Sequence, residues 1–341
     1  MAALDHVPPE LCSLICGFAC TDSGYTGRSL SLVSRYIRTI SQPFKLQSIA
    51  LCGRQQILGF AALLTVTPAR LCRTRYLYLD ELDPGEEARE AWLSFDSLLP
   101  ESSDDGIFQA QVDQIERQEG ENLKILDDFG TEGARLVESI LRDISLTLEV
   151  LDVALNEYVA EKMLATIFLP RLTDLTTRSG FPLSPAGADT DGPHLAPCAT
   201  LRRLHIVEAD PWAWSMRFFE NGISQFAPAL THLRISETIL DDDFLECLAG
   251  GLGLCTPLPD GVTLLPATLE LLLVEPGFPN GEISLDDRQV LDQDRRVIFQ
   301  PPEEYLPEHD VFLQEWLDKA GGAPCHWDRI RVGDVRAGLI A

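Results

Sequence analysis

Four basic or titratable side chains lie at matching positions of two similar segments of this chain. Arg203 and His205 alternate with apolar residues in one segment, and His232 and Arg234 do so in the other. If the two segments are neighbouring strands with their leucine and isoleucine side chains inward, these four residues lie together on the opposite face. Guanidinium and imidazole groups bind carboxylates and phosphates through charge-assisted hydrogen bonds. The pattern therefore predicts an exposed binding site for an acidic or phosphorylated segment of a protein target.

The same cluster has a second interpretation, in which acidic residues of this chain neutralise it. Glu208, Asp210 and Glu237 follow the two segments closely enough to act as internal partners. Both interpretations stay open on the sequence alone, because sequence distance does not tell which carboxylate reaches which cation.

Motifs of known catalytic chemistry are missing from the chain. It contains no phosphate loop, no GxGxxG, no HExxH and no GxSxG. His309, Cys325 and His326 lack the paired spacing of a metal site, and most carboxylates lie in charge runs that favour a solvated surface. We therefore predict a protein with no catalytic residue, no cofactor and no metal ion.

Charge is distributed unevenly along the 341 residues, whose formal net charge is −26. Residues 1–45 hold four basic and three acidic side chains, which leaves 23 basic and 50 acidic ones for residues 46–341. Such a negative field repels phosphate backbones and anionic lipids. Binding to nucleic acid or to a membrane surface is thus not expected.

The cysteine content and the apolar runs indicate the compartment. Nine cysteines, an odd number without a CxxC pair, favour free thiols in a reducing environment. No apolar run reaches the ~20 residues that span a bilayer, and the first residues lack the basic start of a signal peptide. The expected location is the cytoplasm, the nucleus or both.

A short pattern of apolar residues at positions i, i+3 and i+5 recurs after residue 45. Four successive copies begin 24 to 29 residues apart, and helical patterns lie between copies at 54–64, 134–144, 158–168 and 243–253, with another at 311–322. The copies are Leu46/Ile49/Leu51, Thr74/Leu77/Leu79, Leu148/Leu151/Val153, Leu172/Leu175/Thr177, Leu201/Leu204/Ile206, Leu230/Leu233/Ile235 and Leu269/Leu272/Val274. Strand then helix, repeated at this period, is typical of a leucine-rich-repeat solenoid.

The predicted fold class is therefore α/β, with short parallel strands and helices forming an irregular solenoid over residues 46–341. A doubly wound or mixed α/β domain is the alternative. Residues from about 80 to 122 interrupt the repeat with a strongly acidic stretch, which predicts a surface loop inserted between two repeats.

The first 45 residues predict a separate helical module. Leu11, Leu14, Ile15 and Phe18 form one apolar stripe of a first helix, while Cys12, Cys16 and Cys20 occupy the adjoining face. A helix that is apolar nearly all round must be covered on nearly all sides. A second helix, expected to start near Gly27 to Ser29 and to end before Pro43, places Leu30, Val33 and Tyr36 inward.

This module resembles an F-box. The resemblance rests on the Pro-x-Glu-Leu start of the first helix, on the Leu14-Ile15 pair, and on Leu-Val-Ser-Arg followed by Tyr36. It implies that residues 1–45 bind the adaptor subunit of a cullin-RING ubiquitin ligase. The adaptor-binding residues implied are Pro8, Glu10, Leu11, Leu14, Ile15, Phe18, Leu30, Val33, Ser34 and Tyr36.

The function that follows from the resemblance is substrate recognition within an SCF-type ubiquitin ligase, with the repeat surface holding the target. Two alternatives stay open. In one, the N-terminal helices only cap the solenoid of a scaffold without a ligase role; in the other, the chain is an enzyme whose site the sequence does not reveal.

Overall fold

The computed structural model describes residues 7–81, 124, 128–155, 157–163, 167–178, 197–207, 219, 223–238, 240–276, 290–300, 309–323 and 327.

Three short helices open the described chain: α1 (Pro9–Ala19), α2 (Tyr25–Val33) and α3 (Arg35–Ser41). Pro9 occupies the first turn of α1, where its missing N–H costs nothing. The second predicted helix is divided at Ser34, whose backbone is extended (φ −158°, ψ 166°) and whose hydroxyl accepts a hydrogen bond from the Ile37 N–H. An extended residue ends one helix, and its side chain caps the next one.

Eight parallel strands form one sheet in the described part of the chain, and their spatial order is their order in sequence. A doubly wound sheet reverses its strand order, so the sequential order excludes the doubly wound alternative, whereas the mixed α/β alternative stays open. The strands are β1 (Ser48–Cys52), β2 (Tyr76–Asp80), β3 (Val150–Ala154), β4 (Asp174–Arg178), β5 (Arg203–Val207), β6 (His232–Thr238), β7 (Leu271–Pro276) and β8 (Val297–Phe299).

The apolar pattern found in the sequence sets the register of this sheet. Leu77, Leu151, Leu175, Leu204 and Leu233 pair with one another across successive strands, and all are buried. The predicted α/β class and the predicted strand positions are thus confirmed. The eighth strand escaped prediction because Asp294 occupies the leading position of its copy, Asp294/Val297/Phe299, where the pattern has an apolar residue.

The entry into β2 to β7 repeats one hydrogen-bonding arrangement. In β3, for example, the N–H groups of Glu149 and Val150 both donate to the carbonyl of Arg75, at 2.8 and 3.0 Å. In β5 the N–H groups of Arg202 and Arg203 donate to the carbonyl of Thr173 in the same way, at 2.9 and 3.0 Å. The same backbone turn therefore recurs from strand to strand although the spacing along the sequence varies.

The leucine face of the sheet packs against helices that follow the strands. Apolar side chains of these helices join the strand leucines in one core. The helices are α4 (Arg54–Val66), α5 (128–144), α6 (Glu157–Lys162), α7 (Ile223–Phe226) and α8 (Asp242–Gly251). The helices predicted at 54–64, 134–144 and 243–253 are confirmed, whereas α6 ends earlier than the predicted 158–168.

The opposite face of the sheet carries polar and aromatic residues, and we call it the polar face. One register column of this face runs through Tyr78, Asp152, Thr176, His205 and Arg234. Helix α9 (His309–Gly321) lies on the polar face, where Phe312 and Trp316 join Tyr78, Val150 and Val207 in a second apolar cluster. The helix predicted at 311–322 is confirmed. Its position on the polar face was not predicted from the sequence.

The predicted acidic insertion at about 80–122 is described by the structure only at Asp80 and Glu81. Asp80 ends β2 and Glu81 follows it, and both are buried. Residues 82–122, the remainder of the predicted insertion, lie outside the described residues.

Candidate functional site

Helix α1 presents two different apolar faces, and only one of them is covered. Cys12, Cys16 and Cys20 are 3%, 4% and 2% exposed. On the other side, the exposed apolar stripe of α1 consists of Leu11, Leu14, Ile15 and Phe18, which are 52%, 58%, 55% and 81% exposed. The described residues therefore cover only one side of α1, and the expectation that the rest of the chain or another protein covers the second side stays a prediction.

Burial also makes the cysteine side chemically quiet. It raises the pKa of the Cys16 thiol, and it raises the pKa of Cys20 to about 11 with help from the nearby Cys16 and Asp22. Only the thiolate is nucleophilic, so both thiols stay unreactive near neutral pH. These cysteines serve packing.

The covered side of α1 attaches the helical module to the first strand. The Gln47 side-chain amide donates to the carbonyls of Gly17 (2.9 Å) and Cys20 (3.4 Å). Gly27 of α2 lies so close to the chain that a Cβ there would be 2.6 Å from the Lys45 carbonyl oxygen. The module thus covers the β1 end of the sheet, as the cap alternative predicts, and leaves the exposed stripe of α1 open.

The residues predicted to bind an adaptor lie mostly on this open side. Pro8, Glu10, Ser34 and the exposed stripe of α1 all face solvent, whereas Leu30 and Tyr36 are half-buried. The Tyr36 hydroxyl donates to the Val7 carbonyl at 3.1 Å and holds the start of the described chain. Val33, predicted to face inward, is instead 63% exposed and is the last residue of α2.

A groove of about 710 Å³ adjoins the exposed stripe. It lies between α1 and the end of α9, and its walls include Leu14, Phe18, Phe44, Tyr76 and Lys319. The groove extends the apolar surface of α1 toward the polar face of the sheet.

The structure brings Arg203, His205, His232 and Arg234 together on the polar face as the sequence predicts. Arg203 pairs in register with His232, and His205 pairs with Arg234. The expected exposure is wrong, however, for His205 and Arg234, which are 2% and 8% exposed. Helix α9 covers this part of the face, which is why the two side chains are buried.

Internal partners neutralise the cluster. Arg203 donates to Asp174 at 2.7 Å, and Arg234 donates to Glu275 at 2.8 Å. The His205 ring lies 2.7 Å from the Ser236 hydroxyl, and the His232 ring meets Trp327 edge-on. Internal pairing is thus observed, with carboxylates that lie far from these residues in sequence.

A second cationic group of the polar face escaped sequence analysis. Arg178 donates to Asp80 and to Asp152, each at 3.0 Å, and its guanidinium lies 4.7 Å from the Phe312 ring centre. Desolvation lowers the pKa of Arg178, but Asp152, Tyr78 and Asp80 outweigh it and raise that pKa above its ordinary value. Arg178 therefore stays charged beneath α9. Its strand, β4, carries the degenerate Leu-Thr copy of the repeat, so no pattern marked it.

Glu81 is a further buried acid, next to β2. Its residue is 0% exposed, and neither carboxyl oxygen has a hydrogen-bond partner among the described residues. Burial raises the pKa of Glu81 to about 7, although Arg54 opposes the shift. At pH 6 this carboxyl is mostly protonated, which relieves the cost of burying a charge.

Two further properties belong to the described residues. They contain no group of three or more His, Cys, Asp or Glu side chains arranged to hold a metal ion, while Cys325 and His326 lie outside them. None of their helices is long and apolar enough to cross a membrane.

Comparison of the chain with models of protein families and with curated proteins finds no match. Two surfaces of the described residues are candidate interaction sites, the exposed stripe of α1 and the polar face.

Proposed function

We propose that this protein is a substrate receptor of a cullin-RING ubiquitin ligase. Residues 1–45 are an F-box-like module that binds the adaptor subunit, and residues 46–341 are a degenerate leucine-rich-repeat solenoid that binds a target protein. The receptor catalyses nothing itself. It holds the target near a ubiquitin-conjugating enzyme, so its contribution is proximity and orientation.

The exposed stripe of α1 is the observation that carries the proposal. Four large apolar side chains lie on one helix, each at least half exposed. A monomer gains nothing by leaving such a stripe in water, whereas covering it stabilises a complex by roughly 1 kcal/mol or more per side chain. Contiguous apolar surface of this kind marks a protein interaction site.

The chemistry of the module agrees with an external partner. The covered side of α1 carries the small side chains of Cys12, Cys16 and Cys20, and Gln47 and Phe44 approach this helix at Gly17. A helix whose only task was to cap the sheet would place its largest apolar residues on that side. In this chain Leu11, Leu14, Ile15 and Phe18 point the other way.

The second candidate function is a scaffold without a ligase role. It is favoured by the attachment of the module to β1 and by the position of α9 across the polar face. The two candidates differ in one measurable property, the capture of the adaptor.

The test is a double substitution in the exposed stripe. Leu14→Asp with Ile15→Asp should abolish capture of the purified adaptor–cullin complex, because a carboxylate without a partner costs several kcal/mol when it is buried in an interface. Both side chains face solvent in the free chain, so the melting temperature should change little.

A matched control uses another exposed apolar pair on a helix. Leu63→Asp with Val66→Asp alters α4, where these side chains are 39% and 78% exposed. The control variant should capture the adaptor as well as the unchanged protein does. Capture that survives the α1 change in a folded variant would leave the scaffold as the better interpretation.

A further inference from the structure

The sheet face opposite the leucine core is already occupied by a segment of the same chain. Helix α9 presents Phe312, Glu315, Trp316 and Lys319, which are spaced i, i+3, i+4 and i+7 and therefore lie on one side of the helix. Phe312 is 7% and Trp316 is 0% exposed. The side of α9 that faces the sheet thus carries an aromatic, an acidic, a second aromatic and a basic residue.

Each of these four side chains meets a complementary group on the polar face. Phe312 lies beneath Arg178 and 6.5 Å from the His205 ring, and Trp316 lies 5.8 Å from the Tyr78 ring. Arg234 donates to Glu315 at 3.2 Å, and Lys319 donates to the Thr176 hydroxyl at 3.0 Å. Lys319 also lies 3.9 Å from Asp174, so the charges of helix and face match at both ends.

The two faces of the sheet differ in polarity, and this difference affects how strongly each face holds the helix that covers it. The leucine face is aliphatic, and uncovering it would expose apolar core to water. The polar face instead holds charged residues that α9 removes from water, among them Asp80, Asp152, Asp174 and Arg178, which are 2% to 6% exposed. Ions regain hydration when a covering helix leaves, which offsets the loss of apolar contact.

One feature of α9 itself points the same way. The indole N–H of Trp316 is buried and has no acceptor among the described residues. A buried donor without a partner weakens the docking of the helix that carries it. Helix α9 therefore binds the polar face, but less strongly than a helix whose buried donors all have acceptors.

We propose that the polar face is the target-binding surface and that it recognises an amphipathic helix with an aromatic, an acidic, an aromatic and a basic residue at i, i+3, i+4 and i+7. Helix α9 is a built-in competitor that a target helix of the same chemistry displaces. The proposal deepens the proposed function, since it names the target class of the receptor. It replaces the purely acidic or phosphorylated segment that the sequence predicts by a helix with a single acid opposite Arg234.

The probe is a fluorescent peptide of residues 309–323 of this chain, added to the purified protein without any adaptor. An intramolecular helix competes at an effective concentration on the order of 1 mM, so the unchanged protein should bind the peptide weakly. Phe312→Ala with Trp316→Ala removes the aromatic anchors of the resident helix. This opened variant should bind the peptide at least about tenfold more tightly than the unchanged protein does.

Charge pairing gives the specific readout. A Glu315→Gln peptide should bind the opened variant about fivefold more weakly than the unchanged peptide does. Against an opened variant that also carries Arg234→Met, the Glu315→Gln peptide and the unchanged peptide should bind equally well. A Val311→Ala peptide is the matched control, because Val311 is 45% exposed and should not contribute. An opened variant that retains its circular dichroism but binds the peptide no better than the unchanged protein overturns the proposal.

Hydrogen exchange of the unchanged protein tests whether α9 leaves the polar face, even if the opened variant does not fold. Amides of α9 should exchange at least about a hundredfold faster than those of β3 to β6, through local release of the helix. Exchange of α9 only at the rate of the central strands would mean that the helix leaves only when the whole protein unfolds, and it would overturn the proposal. Neither readout involves the adaptor, so adaptor capture through α1 and target binding on the polar face succeed or fail separately.

Discussion

Glu81 illustrates how a single residue sets a property of the whole chain. Its carboxyl is fully buried, lies against Gly133, and lacks a hydrogen-bond partner among the described residues. Burial raises its pKa from an ordinary 4.5 to about 7. Between these two values the folded protein holds a proton that the unfolded chain releases.

The consequence is a contribution of Glu81 to stability that decreases as pH rises. Folding is favoured by the proton on Glu81 below about pH 4.5, and this contribution is lost as the pH rises through about 7. The loss amounts to about 3.5 kcal/mol at most, since the pKa differs by about 2.5 units and one pKa unit corresponds to about 1.4 kcal/mol. Glu81→Gln removes the titration, so we expect its free energy of unfolding in urea to vary less between pH 5 and pH 8.

The control for this measurement is Glu246→Gln, which changes an exposed acid of α8. Its stability should follow that of the unchanged protein across the same range. If the Glu81→Gln protein shows the same pH dependence as the unchanged protein, Glu81 is not the buried acid that titrates.

At the scale of elements, the helical module depends on close contact between α2 and the chain that leads into β1. A Cβ at Gly27 would lie 2.6 Å from the Lys45 carbonyl oxygen and 2.9 Å from the Lys45 Cα. Backbone atoms cannot move aside as a side-chain end can. Gly27 is thus required by contact, not by its position in a helix.

Two glycine substitutions on helices should therefore have opposite effects. Gly27→Ala should lower the free energy of unfolding by about 2 kcal/mol through steric strain. Gly59→Ala in α4, where a Cβ would meet nothing within 4 Å, should raise it by up to about 1 kcal/mol, since alanine favours helix more than glycine does. Urea denaturation of both variants checks the pair, and a loss in both would mean that helix propensity is not the deciding factor.

At the scale of the whole molecule, one leucine core joins every strand of the sheet. Leu204 is 0% exposed and pairs with Leu175 on one side and Leu233 on the other. Its removal leaves a cavity in the centre of the sheet. A cavity at Leu204 should therefore destabilise the packing of β4 and β6, the strands on both sides.

We expect Leu204→Ala to lower the free energy of unfolding by about 3 kcal/mol, as is usual for a buried leucine. Leu146→Ala, which changes a leucine that is 71% exposed, should alter it by less than about 0.5 kcal/mol. Under the proposed function, the Leu204 variant should still capture the adaptor below its melting temperature, because α1 lies near β1 and Leu204 lies on β5. A cost below 1 kcal/mol would contradict the assignment of Leu204 to the core.

The local patterns of the sequence were sufficient to predict seven of the eight described strands, most of the helices and the cluster of Arg203, His205, His232 and Arg234. Each of these features depends on residues only a few positions apart, and periodicity reports such spacing directly. The cysteine and leucine stripes of α1 were also visible. The sequence did not show which of the two stripes faces water, because a helix that is apolar on two sides has no preferred inner side until its neighbours are known.

The tertiary structure alone decided the pairing and the covering of the polar face. Arg178 meets Asp80 across 98 positions of sequence, and Arg234 meets Glu315 across 81. Contacts of this length depend on how many residues separate successive strands and on where α9 comes to lie. No local periodicity contains that information, so the sequence predicted the cluster while the fold determined that α9 covers it.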